Sequence, residues 1–312
     1  MSAIRIATRG SELALAQARS VAGRIRGALG ADTELVVVKT SGDRLQDVSL
    51  AALGGKGLFV KEIEEALLEG RADVAVHSAK DLPAALAPGL VLAAFPERAD
   101  PRDALVGRAP GATLTALAEG ARVGTGSVRR AAALRALRPD VVVVPLRGNV
   151  PTRLRKLEDE GLDAVILACA GLDRLGLGSA IHERISPDAM LPAVCQGTLA
   201  LETREDHPLA ADLAALDDPD AALSVAAERS FLAELEGDCN VPLAALAEHV
   251  PRGGMRLRAW VASPDGRRFA RAELEWDGHG GTAAAAEAGR SAARQVRDSG
   301  GRSILDALEA EA

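Results

Sequence analysis

Three segments of this sequence share one construction, and it restricts the fold more than any other feature. In 8–11 (TRGS), 125–130 (TGSVRR) and 147–153 (RGNVPTR) a strand-like run ends, a small polar residue follows, and a helix-periodic stretch begins with an arginine in or beside its first turn. The first run, 4–8 (IRIAT), passes through Arg9-Gly10-Ser11 into an Ala/Leu-rich helix from about Glu12 to Leu29, with Ser11 placed as N-cap. A strand at 35–40, a Gly-rich stretch at Gly54-Gly55-Lys56-Gly57, a helix over LFVKEIEEALLEG and a strand at 72–78 follow. The pattern restarts near 122: strand RVGT, turn Gly126-Ser127, helix to Leu137, strand VVVVPL, turn Arg147-Gly148-Asn149, helix from Pro151 and strand 163–168. Strands alternating with helices predict a parallel sheet in each of two α/β units. Past about Asp217 the style changes to a helix at 221–236, strands at 256–262 and 268–276, and an Ala-rich helix at 283–298, which reads as a smaller C-terminal α+β domain.

At 312 residues the chain exceeds what one hydrophobic core sustains, so two or three units are expected. No apolar run reaches the roughly 18 residues of a spanning helix, and the N-terminus enters strand-like sequence directly, so a cytoplasmic protein without membrane association is expected. Cys169, Cys195 and Cys239 are an odd count without metal-ligand spacing, which argues against both a disulfide framework and a metal site. The net charge of -7 speaks against a general nucleic-acid binder, yet between Arg122 and Lys156 eight arginines and one lysine face a single acid, Asp140.

Position gives that basic segment its meaning. Helix N-termini present unpaired N–H groups and partial positive charge, and arginine adds a planar fork suited to carboxylates. Three such turns at the C-terminal ends of strands, where ligands bind in open α/β sheets, predict a cation-lined cleft between two lobes and a polyanionic ligand. The segment 76–83 (VHSAKDLP) places Ser78, Lys80 and Asp81 at the same edge. Asp81 is the candidate acid–base group, against the alternative of a turn aspartate, while His77 reads as a packed strand residue with no partner pattern. Cys169, in AVILACAG, reads as a small buried hydrophobe. Cys195 and Cys239 both stay open as reactive thiols, Cys239 being the better placed, at a turn after a helix.

Together these segments resemble the porphobilinogen deaminases. The resemblance covers nearly the whole chain and is carried by IRIATRGSELALAQA (4–18), GGKGLFVKEIEEALLEGRADVAVHSAKDLPA (54–84), ERADPRDALV (97–106), VGTGSVRRAA (123–132), LRGNVPTRLRKL (146–157), DAVILACAGLDRLGL (163–177), LPAVCQGTLALE (191–202) and AAERSFLAELEGDCNVP (226–242). It implies a monomeric transferase of tetrapyrrole (haem) biosynthesis, with a dipyrromethane cofactor joined to Cys239 by a thioether. Four porphobilinogen molecules are added to that primer with loss of ammonia, and linear hydroxymethylbilane is released. Carried over by motif, Arg9, Ser11, Ser78, Lys80, Thr125, Ser127, Arg129, Arg130, Arg147, Arg153 and Arg174 bind the carboxylates of cofactor and substrate, and Asp81 stabilises the cationic azafulvene. Lys56 and Gln196 are further candidates. The fold implied is two periplasmic-binding-protein-like domains, 1–98 with 197–216 and 99–196, followed by 217–312, with 44–57 as a lid.

The chain departs from the family pattern at Asp238, where a glycine is common, at Gly126, where serine is frequent, and at Cys195, which replaces a common glycine. The rival readings are a non-enzymatic anion-binding protein of two lobes and a nucleotide-type transferase. Against the second, there is no GxxxxGK[ST] and no GxGxxG opening a helix after a strand.

Overall fold

The structure, a computed structural model, describes residues 3–41, 60–236 and 241–311. The chain divides into two compact units, Met1–Ala99 with Gly197–Ala222, and Asp100–Gln196 with Leu223–Ala312.

In the first unit β1 (Ile4–Arg9) runs parallel to both β2 (Thr33–Val38) and β3 (Val74–Ser78). Successive strand side chains point to opposite faces. Val74 and Val76 therefore join Ile6 beneath Ala18, Val21, Ala22 and Ile25 of α1 (Glu12–Leu29), whereas Ala75 joins Ala7 beneath Ile63, Ala66 and Leu67 of α2 (Lys61–Leu68). Each Val, Ile or Leu side chain so enclosed contributes roughly 1.5–3 kcal/mol. β4 (Leu90–Ala94) completes the edge, and between β3 and β4 lies β10 (Leu199–Arg204), antiparallel to both. The order is β2-β1-β3-β10-β4.

The second unit repeats the scheme. It contains β5 (Asp103–Gly107), β6 (Arg122–Thr125), α3 (Val128–Leu137), β7 (Val142–Pro145), α4 (Val150–Asp159), β8 (Ala164–Ala168), α5 (Cys169–Arg174) and the short β9 (Glu183–Arg184). Its order is β7-β6-β8-β5-β9, with β5 antiparallel to both neighbours. Each sheet is therefore mixed, which corrects the parallel sheets expected from strand–helix alternation. The reason is that β10 and β5 arrive from the other half of the chain without a crossover helix, and only βαβ crossovers impose parallel pairing.

After β10, α6 (Leu209–Leu213) sets Leu209 and Leu213 into the first core, and Asp218 Oδ1 accepts the Ala221 N–H at 2.8 Å near the start of α7 (Pro219–Glu234). The C-terminal part is an antiparallel sheet of β11 (Leu243–His249), β12 (Met255–Ala262) and β13 (Phe269–Trp276), followed by α8 (Gly281–Val296) and α9 (Arg302–Glu311). Trp260 stands edge-on to Phe269 with centroids 5.2 Å apart and shares a core with Leu105 and Val123 of the second sheet. Gly289 lets α8 approach α7: a Cβ there would sit 2.1 Å from the Ala227 carbonyl. The observed class is two α/β sheets with a smaller C-terminal α+β part. No helix among the described residues is long and apolar enough to cross a membrane.

Candidate active site

The turn after β1 forms as expected. Ser11 is extended (φ -70°, ψ 149°), and its hydroxyl accepts the Ala14 N–H at 3.3 Å, satisfying one of the donors a helix start leaves unpaired. Beside it, β3 ends at Ser78 and turns through a short 3-10 segment, Ala79–Asp81. Gln17, buried on α1, ties the two turns together by donating its Nε2–H to Ser78 Oγ at 2.9 Å. Between them lies a pocket of about 60 Å³ lined by Arg9, Ser11, Ser78 and Asp81, together with Gln17, His77 and the apolar Leu13, Ala14, Val60, Ile63 and Val76. Four residues expected from sequence thus line one cavity.

Asp81 is exposed, and no hydrogen bond or ion pair engages its carboxylate among the described residues. It caps nothing, as a turn aspartate would, and is available to a ligand. Lys80 is half-buried in the same segment. Sequence reasoning missed Gln17 and the partner of His77. His77 Nε2 lies 2.9 Å from Glu202 Oε2, both side chains being enclosed within the first unit. Gln17 sits one helical turn and a half beyond the Ser11 cap, a position that could have flagged it. Glu202 is 125 positions from His77 and carries no local signal.

In the second unit Ser127 caps α3, its hydroxyl accepting the Arg130 N–H at 3.4 Å, while Thr125 Oγ1 accepts the Ser127 N–H at 3.2 Å. Asn149 caps α4 through the Thr152 N–H at 2.9 Å, with a proline in the first turn. Arg153 donates from Nε to the Gly148 carbonyl at 2.7 Å, which holds its guanidinium over this turn. Arg147, in the same turn, and Arg174, at the end of α5, are half-buried. Gly126 is closely covered: a Cβ would lie 2.4 Å from the Leu146 carbonyl oxygen. A serine here therefore requires the backbone to move, so the departure at this position is also one of space.

Arg129 and Arg130 turn inward. Asp103, on β5, is fully buried. Its Oδ1 accepts from Arg130 Nε at 2.9 Å, Arg130 Nη2 at 2.7 Å and Gln196 Nε2 at 2.8 Å, and its Oδ2 pairs with Arg129 Nη1 at 2.8 Å. Arg129 also donates to the Leu191 carbonyl at 2.7 Å and Arg130 to that of Ile166 at 3.0 Å. Burial alone would raise the Asp103 pKa, but the two guanidinium groups overcome it and hold the carboxyl well below the usual range. Two cations against one anion leave a net positive charge of about one next to the N-terminus of α3, a setting that favours anions.

Cys169 begins α5 and is fully buried, as the small buried hydrophobe expected, and burial pushes its thiol up to about 11. Cys195 is buried and has a left-handed backbone (φ 56°), which explains why glycine suits this position. Lys56, Asp238, Cys239 and the proposed lid 44–57 lie outside the described residues. Among the described residues no cluster of metal-ligating side chains occurs.

Family models match two stretches: residues 4–212 as "Porphobilinogen deaminase, dipyromethane cofactor binding domain" and residues 222–298 as "Porphobilinogen deaminase, C-terminal domain". The chain belongs to the porphobilinogen deaminase family. A member from Sorangium cellulosum is 53% identical over 88% of this chain and 93% of its own length. Another, from Syntrophus aciditrophicus, is 48% identical over 98% and 99%. Among solved structures, a periplasmic substrate-binding protein of an ABC transporter from Coxiella burnetii covers 72% of this chain and 96% of its own at 16% identity, with a TM-score of 0.41. Both sets of capped turns and the pocket fall within the stretch matched to the family's cofactor-binding domain.

Proposed function

We propose that this chain joins four porphobilinogen molecules head to tail, with loss of ammonia, onto a dipyrromethane primer held by a thioether at Cys239, and releases linear hydroxymethylbilane for tetrapyrrole biosynthesis. Family membership supports the reaction. The observation that supports this reading is the first unit's pocket, where Arg9 and Asp81, whose carboxylate has no partner among the described residues, border one small cavity.

The substrate's chemistry fits that pairing. Porphobilinogen carries an acetate and a propionate, which Arg9, the helix start at Ser11, Ser78 and Lys80 are suited to bind. Breaking its aminomethyl C–N bond sends the electron pair away with ammonia and leaves a cationic ring. Asp81, close to the ring N–H, stabilises that cation and assists proton transfer.

The donor set of the second unit suits a carboxylate-bearing cofactor. Arg147, Arg153 and Arg174, with Thr125 and Ser127, would hold its acidic side chains, while Arg129 and Arg130, bound to Asp103 and braced by Gln196, position the α3 turn and lend it positive charge. When bound, the dipyrromethane supplies the pyrrole carbon at which the first new bond forms. The reading takes residues 1–98 with 197–216, 99–196 and 217–312 as three domains of a cytoplasmic monomer that engages no nucleic acid or membrane.

Intact-mass measurement tests it. An active preparation is expected to carry a dipyrromethane-sized adduct that Cys239→Ser lacks. A bare polypeptide mass from active protein would refute the attachment.

A further inference from the structure

The first pocket contains a polar group that the mechanism above leaves unused. His77 is nine-tenths buried, lines the cavity, and commits only one nitrogen: Nε2 meets Glu202 Oε2 at 2.9 Å. A carboxylate can only accept, so Nε2 carries the hydrogen, and whenever the ring holds a single proton Nδ1 is the acceptor. Nδ1 has no hydrogen-bond partner among the described residues. The surroundings are negative. Glu202 is fully buried, and its Oε1 has no hydrogen-bond partner among the described residues. Glu64, on α2, lies near enough for its carboxyl to respond to both Glu202 and His77. Facing the cavity from the other elements are Asp81, also acidic, and Arg9, on the β1 turn. An acceptor backed by enclosed carboxylates suits a cationic N–H donor and disfavours an anion.

We propose that His77 is a substrate-binding residue whose Nδ1 accepts a hydrogen bond from the aminomethyl ammonium group of porphobilinogen, with Glu202 fixing the tautomer. The cavity then has two ends of opposite preference: Arg9 for the ring's carboxylates, His77 for the amine that leaves. The proposal rests on the pocket being the substrate site.

Two variants separate the nitrogens. His77→Gln keeps an amide N–H near the Nε2 position for Glu202 and has nothing at Nδ1, whereas His77→Asn keeps an amide near Nδ1 and loses the bond to Glu202. With the cofactor loaded, His77→Gln is expected to raise KM for porphobilinogen about 10- to 100-fold, the scale of a hydrogen bond to a charged group. Its KM for the analogue bearing hydroxymethyl in place of aminomethyl, a neutral and weaker donor to Nδ1, should rise less, by about 2- to 10-fold. His77→Asn should melt lower yet hold KM for porphobilinogen within about threefold, so it decides the matter if His77→Gln fails to fold. An equal loss for both substrates, or no loss for either, overturns the role of His77. Asp81→Asn serves as the control for the pocket itself. Undiminished turnover there overturns the site, while impaired Asp81→Asn with a kinetically normal His77→Gln overturns only this proposal.

Discussion

Asp103→Asn removes one charge from the most enclosed polar cluster of the second unit and leaves the shape of the side chain nearly intact. The wild-type carboxylate answers Arg129 and Arg130 at 2.7–2.9 Å with all three groups buried. In the variant two enclosed guanidinium groups face an amide whose NH₂ end opposes a donor. Removing one partner of a buried pair costs about 3–5 kcal/mol, because the charge left behind stays desolvated. At about 2–4 °C per kcal/mol for a unit of roughly 150–250 residues, the melting temperature should fall by about 6–20 °C. Differential scanning calorimetry on the cofactor-loaded protein reads this directly. Adding Arg129→Met to Asp103→Asn takes away one of the stranded cations and should restore about 1–3 kcal/mol, so the two changes should be strongly non-additive. The pH dependence has a definite sign. Folded Asp103 keeps its charge below the ordinary carboxylate value of 3.8, so its contribution is complete above that value and drains away as pH falls beneath it. The stability gap between wild type and Asp103→Asn should therefore narrow on acidification below about pH 4. A variant that melts within about 2 °C of wild type at neutral pH would refute the argument that this carboxylate neutralises the buried arginines.

Asp81→Asn should preserve folding and lose turnover by about two orders of magnitude or more, measured by single-turnover ammonia release. Gly126→Ser, which forces a Cβ to within 2.4 Å of the Leu146 carbonyl oxygen, should cost about 1–3 kcal/mol in urea titrations, even though it adds a hydroxyl to the turn. Native-state alkylation at pH 8 should leave Cys169 and Cys195 unmodified, since both are buried and the Cys169 thiol is raised to about 11. Denaturation should expose them, and rapid native labelling of either would contradict the packing described for them.

The parts of this architecture legible in the sequence were those with local chemistry. Ser11, Ser127 and Asn149 announce helix starts because a cap acts within three residues, and the period of α1 marks its buried face. The central strands were not legible. DALVG and LALETR are short runs entered from β4 and β9 with no helix between, so periodicity cannot assign a partner, and their antiparallel sense depends on chain routing. The site divided in the same way. Arg9, Ser11, Ser78 and Asp81 converge because neighbouring strands end at one edge, which strand order alone implies. Arg129 and Arg130 look like anion-binding residues from their place beside a cap, but their side chains follow the inward face of the first helical turn toward an acid on a strand contributed from a distance. His77 and Glu202 form a pair for the same reason, joining strands that the intervening half of the chain separates.

The strand shared out of sequence order gives the molecule a temporal constraint. The first sheet lacks its fourth member until Leu199–Arg204 has been synthesised, so about two-thirds of the chain must emerge before β3 and β4 acquire the neighbour that lies between them. Until then their facing edges are unpaired, and such edges invite wrong partners. A fragment stopped before residue 199 should therefore be soluble only in the company of a chaperone or of the missing strand supplied as a peptide, and the first unit cannot serve as an independent module by simple truncation.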